Sequence, residues 1–224
     1  MKQLFFAFNM LLSCSLSAQV ADIHFGLGNG GFQLGKGVYG RSATRVDLSD
    51  VEVAHVGLRY ADALSKRTSM RFTLGVQRLR YHREATSDRH HSLLDVSVHY
   101  AYLGLEPTFR PLGKVQGLVL SFPVNFTFRT GARGTGSYES FYSPDTSYVL
   151  NNEPVSIGGF NIEFQGALAY EVPVSEQMGF SLGGYAAYGL FDQAGGSIPN
   201  KLYHMGFRVA LYHKRALSRF FPEK

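Results

Sequence analysis

The stretch GLVLSFPVNFTFRTG at residues 117–131 constrains this chain more than any other. Leu118, Leu120, Phe122, Val124, Phe126 and Phe128 fall on one face of an extended strand, with Val119, Ser121, Pro123, Asn125, Thr127 and Arg129 opposite. A strand that crosses a bilayer needs about 9 to 11 residues with one apolar and one more polar face, and this one suffices. Pro123 removes a ladder hydrogen bond in mid-strand, which predicts a bulge there.

The same alternation recurs along the chain. A first strand sets Ala21, Ile23, Phe25 and Leu27 against Asp22, His24 and Gly26. A second sets Ala54, Val56, Leu58 and Tyr60 against His55, Gly57 and Arg59. A third sets Met70, Phe72, Leu74 and Val76 against Arg71, Thr73, Gly75 and Gln77; Arg78 and Arg80 then take the apolar side, so the lipid-facing part ends near Val76. In a fourth, Leu94, Val96, Val98, Tyr100 and Tyr102 are expected outward and Asp95, Ser97, His99 and Ala101 inward; its continuation through Pro107 has no assignable facing. After the 117–131 strand, a sixth sets Phe160, Ile162, Phe164, Leu168 and Tyr170 against Asn161, Glu163, Gln165 and Ala167. A seventh and an eighth place Phe180, Leu182, Tyr188 and Leu190, then Tyr203, Met205, Phe207, Val209 and Leu211, on the apolar side.

Between the strands, polar loops are expected at 28–50, 82–91, 132–156 and 192–201, alternating with short turns at 61–67, 111–116 and 172–177. This order, and an even strand count, predict an all-β fold: an eight-stranded antiparallel up-and-down transmembrane β-barrel with loops at one end and turns and termini at the other.

Residues 1–18 have the form of a secretory signal: Lys2, the apolar LFFAFNMLL, then small residues to Ala18. The barrel domain is then 19–224. Cys14, the one cysteine, lies inside that leader, so cleavage leaves no thiol for a disulfide or a metal; a lipobox-like Leu11–Cys14 is the alternative. Elsewhere no run of about 18 apolar residues exists, which excludes a helical membrane protein. A soluble, lipocalin-like periplasmic carrier would show the same alternation with the faces reversed. Lysine placement favours the membrane: Lys36, Lys66, Lys114, Lys201 and Lys214 fall in loops, turns or strand ends, whereas a solvated exterior carries lysine along its strands. Tyr60, Tyr102 and Tyr170 at one rim, with Tyr188 and Tyr203 at the other, are expected as interfacial girdles.

The leader ending SLSAQ, the alternating segments and the turn LSKR resemble the small outer-membrane β-barrel proteins (OmpA-like, porin-family) of Bacteroidota-type Gram-negative bacteria. The resemblance implies outer-membrane localisation, contact with outer-membrane lipid and lipopolysaccharide, delivery by the barrel assembly machinery, and a monomer. The chain departs from the pattern at its end, where RALSRFFPEK follows His213, leaving Tyr212, Phe220 or Phe221 as the terminal aromatic.

Candidate chemistry is sparse. Arg59, Arg71, Asp95, Arg129, Glu163 and Arg208 are expected to form a lumen network, since an unpaired buried charge is costly; it acts as a plug or as the lining of a narrow, porin-like channel. His24, His55, His99 and His204 share the lumen face, but no motif pairs them with a serine as a lipid A-modifying enzyme requires, so no catalytic residue is assigned. His82, Asp88, His90 and His91 read as a solvated loop rather than a metal site. Gly26, Gly28 and Gly31 match a dinucleotide fingerprint that must open a helix; Gly35, Gly37 and Gly40 follow instead, so no cofactor is expected. Arg78, Arg80, Arg83, Arg89 and Arg133 concentrate positive charge near the outer rim. Export turns the net charge of +5 away from nucleic acid and towards lipopolysaccharide phosphates. Tyr138, Phe141, Tyr142 and Tyr148 give the longest loop a binding-surface composition, or pack over the barrel mouth. The expected role is non-enzymatic, structural or surface-interacting through these loops.

Overall fold

The computed structural model describes residues 20–34, 45–65, 67–111, 117–142, 147–192 and 200–214. The leader at 1–18 with Cys14, and Phe220 and Phe221 in the tail, lie outside the described residues. All regular structure described is strand: β1 Val20–Leu34, β2 Arg45–Ala63, β3 Thr68–Thr86, β4 His90–Phe109, β5 Leu118–Ser121, β6 Val124–Ser140, β7 Tyr148–Pro154, β8 Phe160–Pro173, β9 Met178–Asp192 and β10 Asn200–Lys214. Each pairs antiparallel with its neighbour, and β10 pairs with β1 from Val20↔Lys214 to Leu34↔Asn200, which closes the sheet. β5 and β6 share one position in the ring, between β4 and β8, so the barrel has eight staves. β7 stands outside the ring and pairs with the upper part of β6.

Pro123 divides β5 from β6, but no bulge forms. Ser121 faces Thr108 and Val124 faces Leu105, so the register across the gap is unchanged. The break costs only ladder bonds, and the flanking groups are engaged: Phe122 N donates to Pro107 O at 3.1 Å, and Gln165 N donates to Pro123 O at 2.8 Å. The real irregularity lies higher on β6, where the register with β4 shifts between His99 and Tyr100.

Three of the turns use one device. Ser65, Ser87 and Ser175 each accept, through Oγ, the backbone N–H groups two and three residues on, at 3.0 to 3.3 Å. A serine hydroxyl thus takes up donors that the hairpin would leave unpaired. At Ser87 this replaces the loop expected over 82–91 with a tight turn, because β3 continues to Thr86 and β4 begins at His90. The loops expected at 28–50 and 132–156 are likewise largely strand: β1 runs on to Leu34, β2 begins at Arg45, β6 reaches Ser140 and β7 follows. Backbone partners override loop-like composition here, because every added pair satisfies two polar groups.

The barrel has two storeys. Around the lower one, Phe25, Leu58, Leu74, Leu103, Phe164, Leu182 and Val209 point outward and are exposed, while Arg59, Arg71, Glu106, Glu163 and Arg208 are buried inside. In the upper one the polarity is inverted. Phe32, Val51, Val53, Leu79, Tyr81, Val96, Val98, Tyr100, Ile157 and Leu202 form an enclosed apolar core, and Glu52, Arg78, Arg80, Asp95 and His99 face out. The facing expected for the fourth strand is therefore wrong. Val96, Val98, Tyr100 and Tyr102 point in, and Tyr102 belongs to the lumen rather than to an aromatic girdle. An apolar row faces inward wherever water lies outside, so alternation alone had the wrong phase there.

Candidate functional site

The lower lumen is built on Glu106, which β4 delivers to its centre. Its carboxylate is 1% exposed and meets three guanidiniums: Arg59 Nη1 at 3.2 Å, Arg208 Nη2 at 3.0 Å and Arg71 Nη1 at 3.6 Å. Each arginine comes from a different strand, so the three staves β2, β3 and β10 converge on one acceptor. Arg59 Nε also donates to Asp22 Oδ1 at 2.7 Å. Arg71 Nη2 donates to Glu171 Oε1 at 2.7 Å, and Arg110 Nη2 donates to both Glu171 oxygens at 3.0 and 3.1 Å. Higher up, Glu163 meets His204 Nε2 at 2.9 Å and receives Gln165 Nε2. Three carboxylates, Asp22, Glu106 and Glu171, thus pair with four arginines, Arg59, Arg71, Arg110 and Arg208, and Glu163 nearby brings the count of buried carboxylates to four. Matched formal charge is what a narrow lumen of low dielectric requires.

Histidines and tyrosines cap this network. His24 Nε2 lies 2.9 Å from Tyr102 Oη, and His55 packs against His24, Tyr102 and Tyr185 with centroids 5.6, 6.4 and 5.3 Å away. Glycine makes room for them: a Cβ on Gly75 would lie 2.5 Å from Tyr102, and one on Gly26 would clash with the His55 ring. The cavity in the middle, among His24, His55, Gln77, Tyr102, Glu106, Asn125 and Arg208, is about 10 Å3. That is room for about one water molecule and no solute.

Four of the six residues expected in the network are there: Arg59, Arg71, Glu163 and Arg208. Asp95 is not. It lies on the outer wall of the upper storey with its side chain 75% exposed, bonded to His82 Nδ1 at 2.9 Å. His99 is outside for the same reason. Arg129 is also outside the network, exposed and donating to the Ile157 carbonyl just below the register shift in β6. Asp22, Glu106, Glu171 and Arg110 were missed. Asp22 had been placed on the inward face, but Glu106 lay where the phase of β4 was lost.

The five rim arginines do not form one cluster. Arg78 and Arg80 sit together on the outer wall where the apolar belt ends; Arg78 Nε donates to Ser97 Oγ at 3.1 Å, and Arg80 lies 3.7 Å from Glu52. Arg83 is half-buried, in register with Leu48 and Leu94. Arg89 is in the Ser87 turn, and Arg133 Nη1 donates to Asn152 O at 2.9 Å.

Two of the four loop aromatics form a ladder on the sheet made by β4, β6 and β7. Tyr138 stacks on Tyr148 with centroids 5.1 Å apart and 18° between planes, and His90 stacks on the other side of Tyr138 at 5.4 Å and 24°. Phe141 and Tyr142, directly after β6, are exposed. The nearest approach to a nucleophile–base pair is Ser87 Oγ, 3.0 Å from His90 Nδ1. Ser87 is occupied as a turn cap, and no carboxylate bonds to His90 among the described residues. Nor does any group of three or more His, Cys, Asp and Glu there suit a metal ion.

The closed ring, its lipid-compatible belt and its ion-paired lumen define a membrane-spanning β-barrel. No family model and no curated protein matches the chain. Among solved structures, it is similar to Neisserial surface protein A, at 9% identity and TM-score 0.45 over 87% of this chain and 97% of that one. It is also similar to the outer-membrane protease OmpT from Escherichia coli, at 10% identity and TM-score 0.43 over 88% and 96%. A third is Ail, the attachment invasion locus protein of Yersinia pestis, at 11% identity and TM-score 0.42 over 86% and 99%.

Proposed function

We propose that this chain is a plugged outer-membrane β-barrel protein without catalytic activity, which holds an interaction surface above the membrane on its upper storey. A cleaved leader at 1–18 exports it, the assembly machinery inserts it, and it acts as a monomer in contact with outer-membrane lipid and lipopolysaccharide. The observation that carries the reading is the lumen: a charge-matched network centred on Glu106 borders a cavity of about 10 Å3. A channel needs a continuous wet path, and this one is blocked by side chains whose displacement would strand buried charges. What the barrel offers a partner is then its upper surface, with the Tyr138–Tyr148 ladder, Phe141 and Tyr142.

Single-channel recording in a planar bilayer tests it. The wild-type protein is expected to give no discrete conductance steps, whereas steady open-channel current would favour the channel reading. Deletion of residues 133–154 is expected to abolish surface binding while leaving the heat-dependent shift in SDS gels intact.

A further inference from the structure

The outer wall is not uniformly convex. Over β1, β9 and β10 it carries a concavity of about 810 Å3, bordered by Leu27, Met205 and Phe207, which are 70%, 64% and 74% exposed. Its floor is backbone, because Gly184, in register with the outward Phe207, points outward with no side chain. A Cβ on Gly184 would have only Gly206 O nearby, at 3.8 Å, so the hollow is open rather than filled by a neighbour.

One end of this hollow is apolar and the other is charged. The row Leu27, Ala54, Arg78 runs across β1, β2 and β3 in direct register, and the row above it is Asn29, Glu52, Arg80. The hollow therefore straddles the level at which the exterior changes from Val76 and Leu74 to Arg78 and Arg80. Arg80 has one carboxylate there, Glu52, at a loose 3.7 Å, and Arg78 has none among the described residues, its Nε donating to Ser97 Oγ at 3.1 Å. An apolar trough leading to paired, under-neutralised arginines at the edge of the belt complements an acyl chain joined to a phosphate.

We infer that this hollow is a binding site for a phosphate-bearing membrane lipid, with an acyl chain along Leu27, Met205 and Phe207 and the phosphate held by Arg78 and Arg80. The site rests on the membrane-barrel reading and adds to it a defined lipid position on one wall. The chain bends over Gly184, where any larger outward residue would occupy its path. Glu52 limits the site to lipids whose phosphate competes for Arg80.

The full chain, purified from membranes in detergent, is titrated with diphosphoryl lipid A and with phosphatidylcholine of similar chain length, and bound lipid is read by native mass spectrometry. The expected result is one retained lipid A, with at least tenfold weaker retention of phosphatidylcholine. R78Q/R80Q is expected to lose lipid A binding at least tenfold, and G184L to lose it severalfold by filling the trough. Both variants should keep the heat-dependent SDS-gel shift of wild type. Retention within twofold of wild type in R78Q/R80Q or G184L, or equal retention of both lipids, overturns the site. So does displacement by millimolar inorganic phosphate, which would mean an ion site. Absence of the gel shift in the wild type would instead bring down the membrane-barrel reading, and the site with it.

Discussion

β3 passes through both storeys, and the two halves of this strand obey opposite rules. Below, Phe72, Leu74 and Val76 face out and Arg71, Thr73 and Gln77 face in; above, Arg78 and Arg80 face out and Leu79 and Tyr81 face in. The alternation never skips a residue, so the backbone does not change. The surroundings do. Where the exterior is hydrocarbon, apolar side chains go out and charges must find partners inside; where it is water, burial of apolar area drives them in. β2 and β4 switch at the same level, from Val53 to Arg59 and from Tyr100 to Glu106 along their inner faces, and Arg78 is in direct register with Ala54 and His99. The level of the switch marks the edge of the membrane on this side of the barrel more sharply than any tyrosine girdle does.

If the lower storey is held by ion pairs, removing its central anion should do most damage. Glu106→Ala leaves Arg59, Arg71 and Arg208 without their shared acceptor, and a broken buried pair costs about 3 to 5 kcal/mol. The urea midpoint of the heat-dependent gel shift should fall steeply, and Glu106→Gln should fall less because it keeps an acceptor. In the upper storey the corresponding change is Leu79→Ala, in a core that also holds Val53, Val98 and Tyr100. It should cost about 2 to 5 kcal/mol by opening a cavity. Equal tolerance of both changes would mean that the storeys are not separately packed.

The exterior gives a paired test on one strand. Leu74→Arg puts a charge against hydrocarbon and should cost about 2 to 4 kcal/mol near the bilayer midplane. Arg78→Leu, four residues up on the same face, removes one exposed hydrogen bond to Ser97 and should cost no more than about 1 kcal/mol. Folding into phosphatidylcholine vesicles measures both, and similar costs for the pair would remove the boundary between Val76 and Arg78.

Much of this was legible beforehand. Seven of the eight staves show their facing in the sequence, because Asp22, Arg59, Arg71, Asn125, Glu163, Ser181 and Arg208 each sit opposite an apolar row. The end of the belt was visible in Arg78 and Arg80. β4 failed because its apolar row, Val96 to Tyr102, lies mainly in the upper storey, where apolar means inward. The turn at Ser87 would have corrected it by pairing His99 with Arg78, but HREATSDRHH looks like loop, and a register cannot be read through a loop. Losing that phase also hid Glu106, the centre of the lumen. Composition likewise concealed β7, whose sequence YVLNNEP carries a loop-like Asn151–Asn152 with Asn152 at φ 57°.

The smallest expected effect tests the phase of β4 most directly. Asp95 and His82 form a 2.9 Å pair on the outer wall, with side chains 75% and 33% exposed. An exposed pair is screened by water and salt and contributes about 0 to 1 kcal/mol, so Asp95→Asn should barely move the unfolding midpoint, and less still in high salt. Were Asp95 a lumen anion instead, the same change would strand an arginine and approach the cost of losing Glu106. Measured side by side, Asp95→Asn and Glu106→Gln are both carboxylate-to-amide changes on one strand. The difference between them therefore reports only which way each side chain points: a large gap fixes the upper half of β4 with its apolar row inward, and equal losses would turn that half of the strand over.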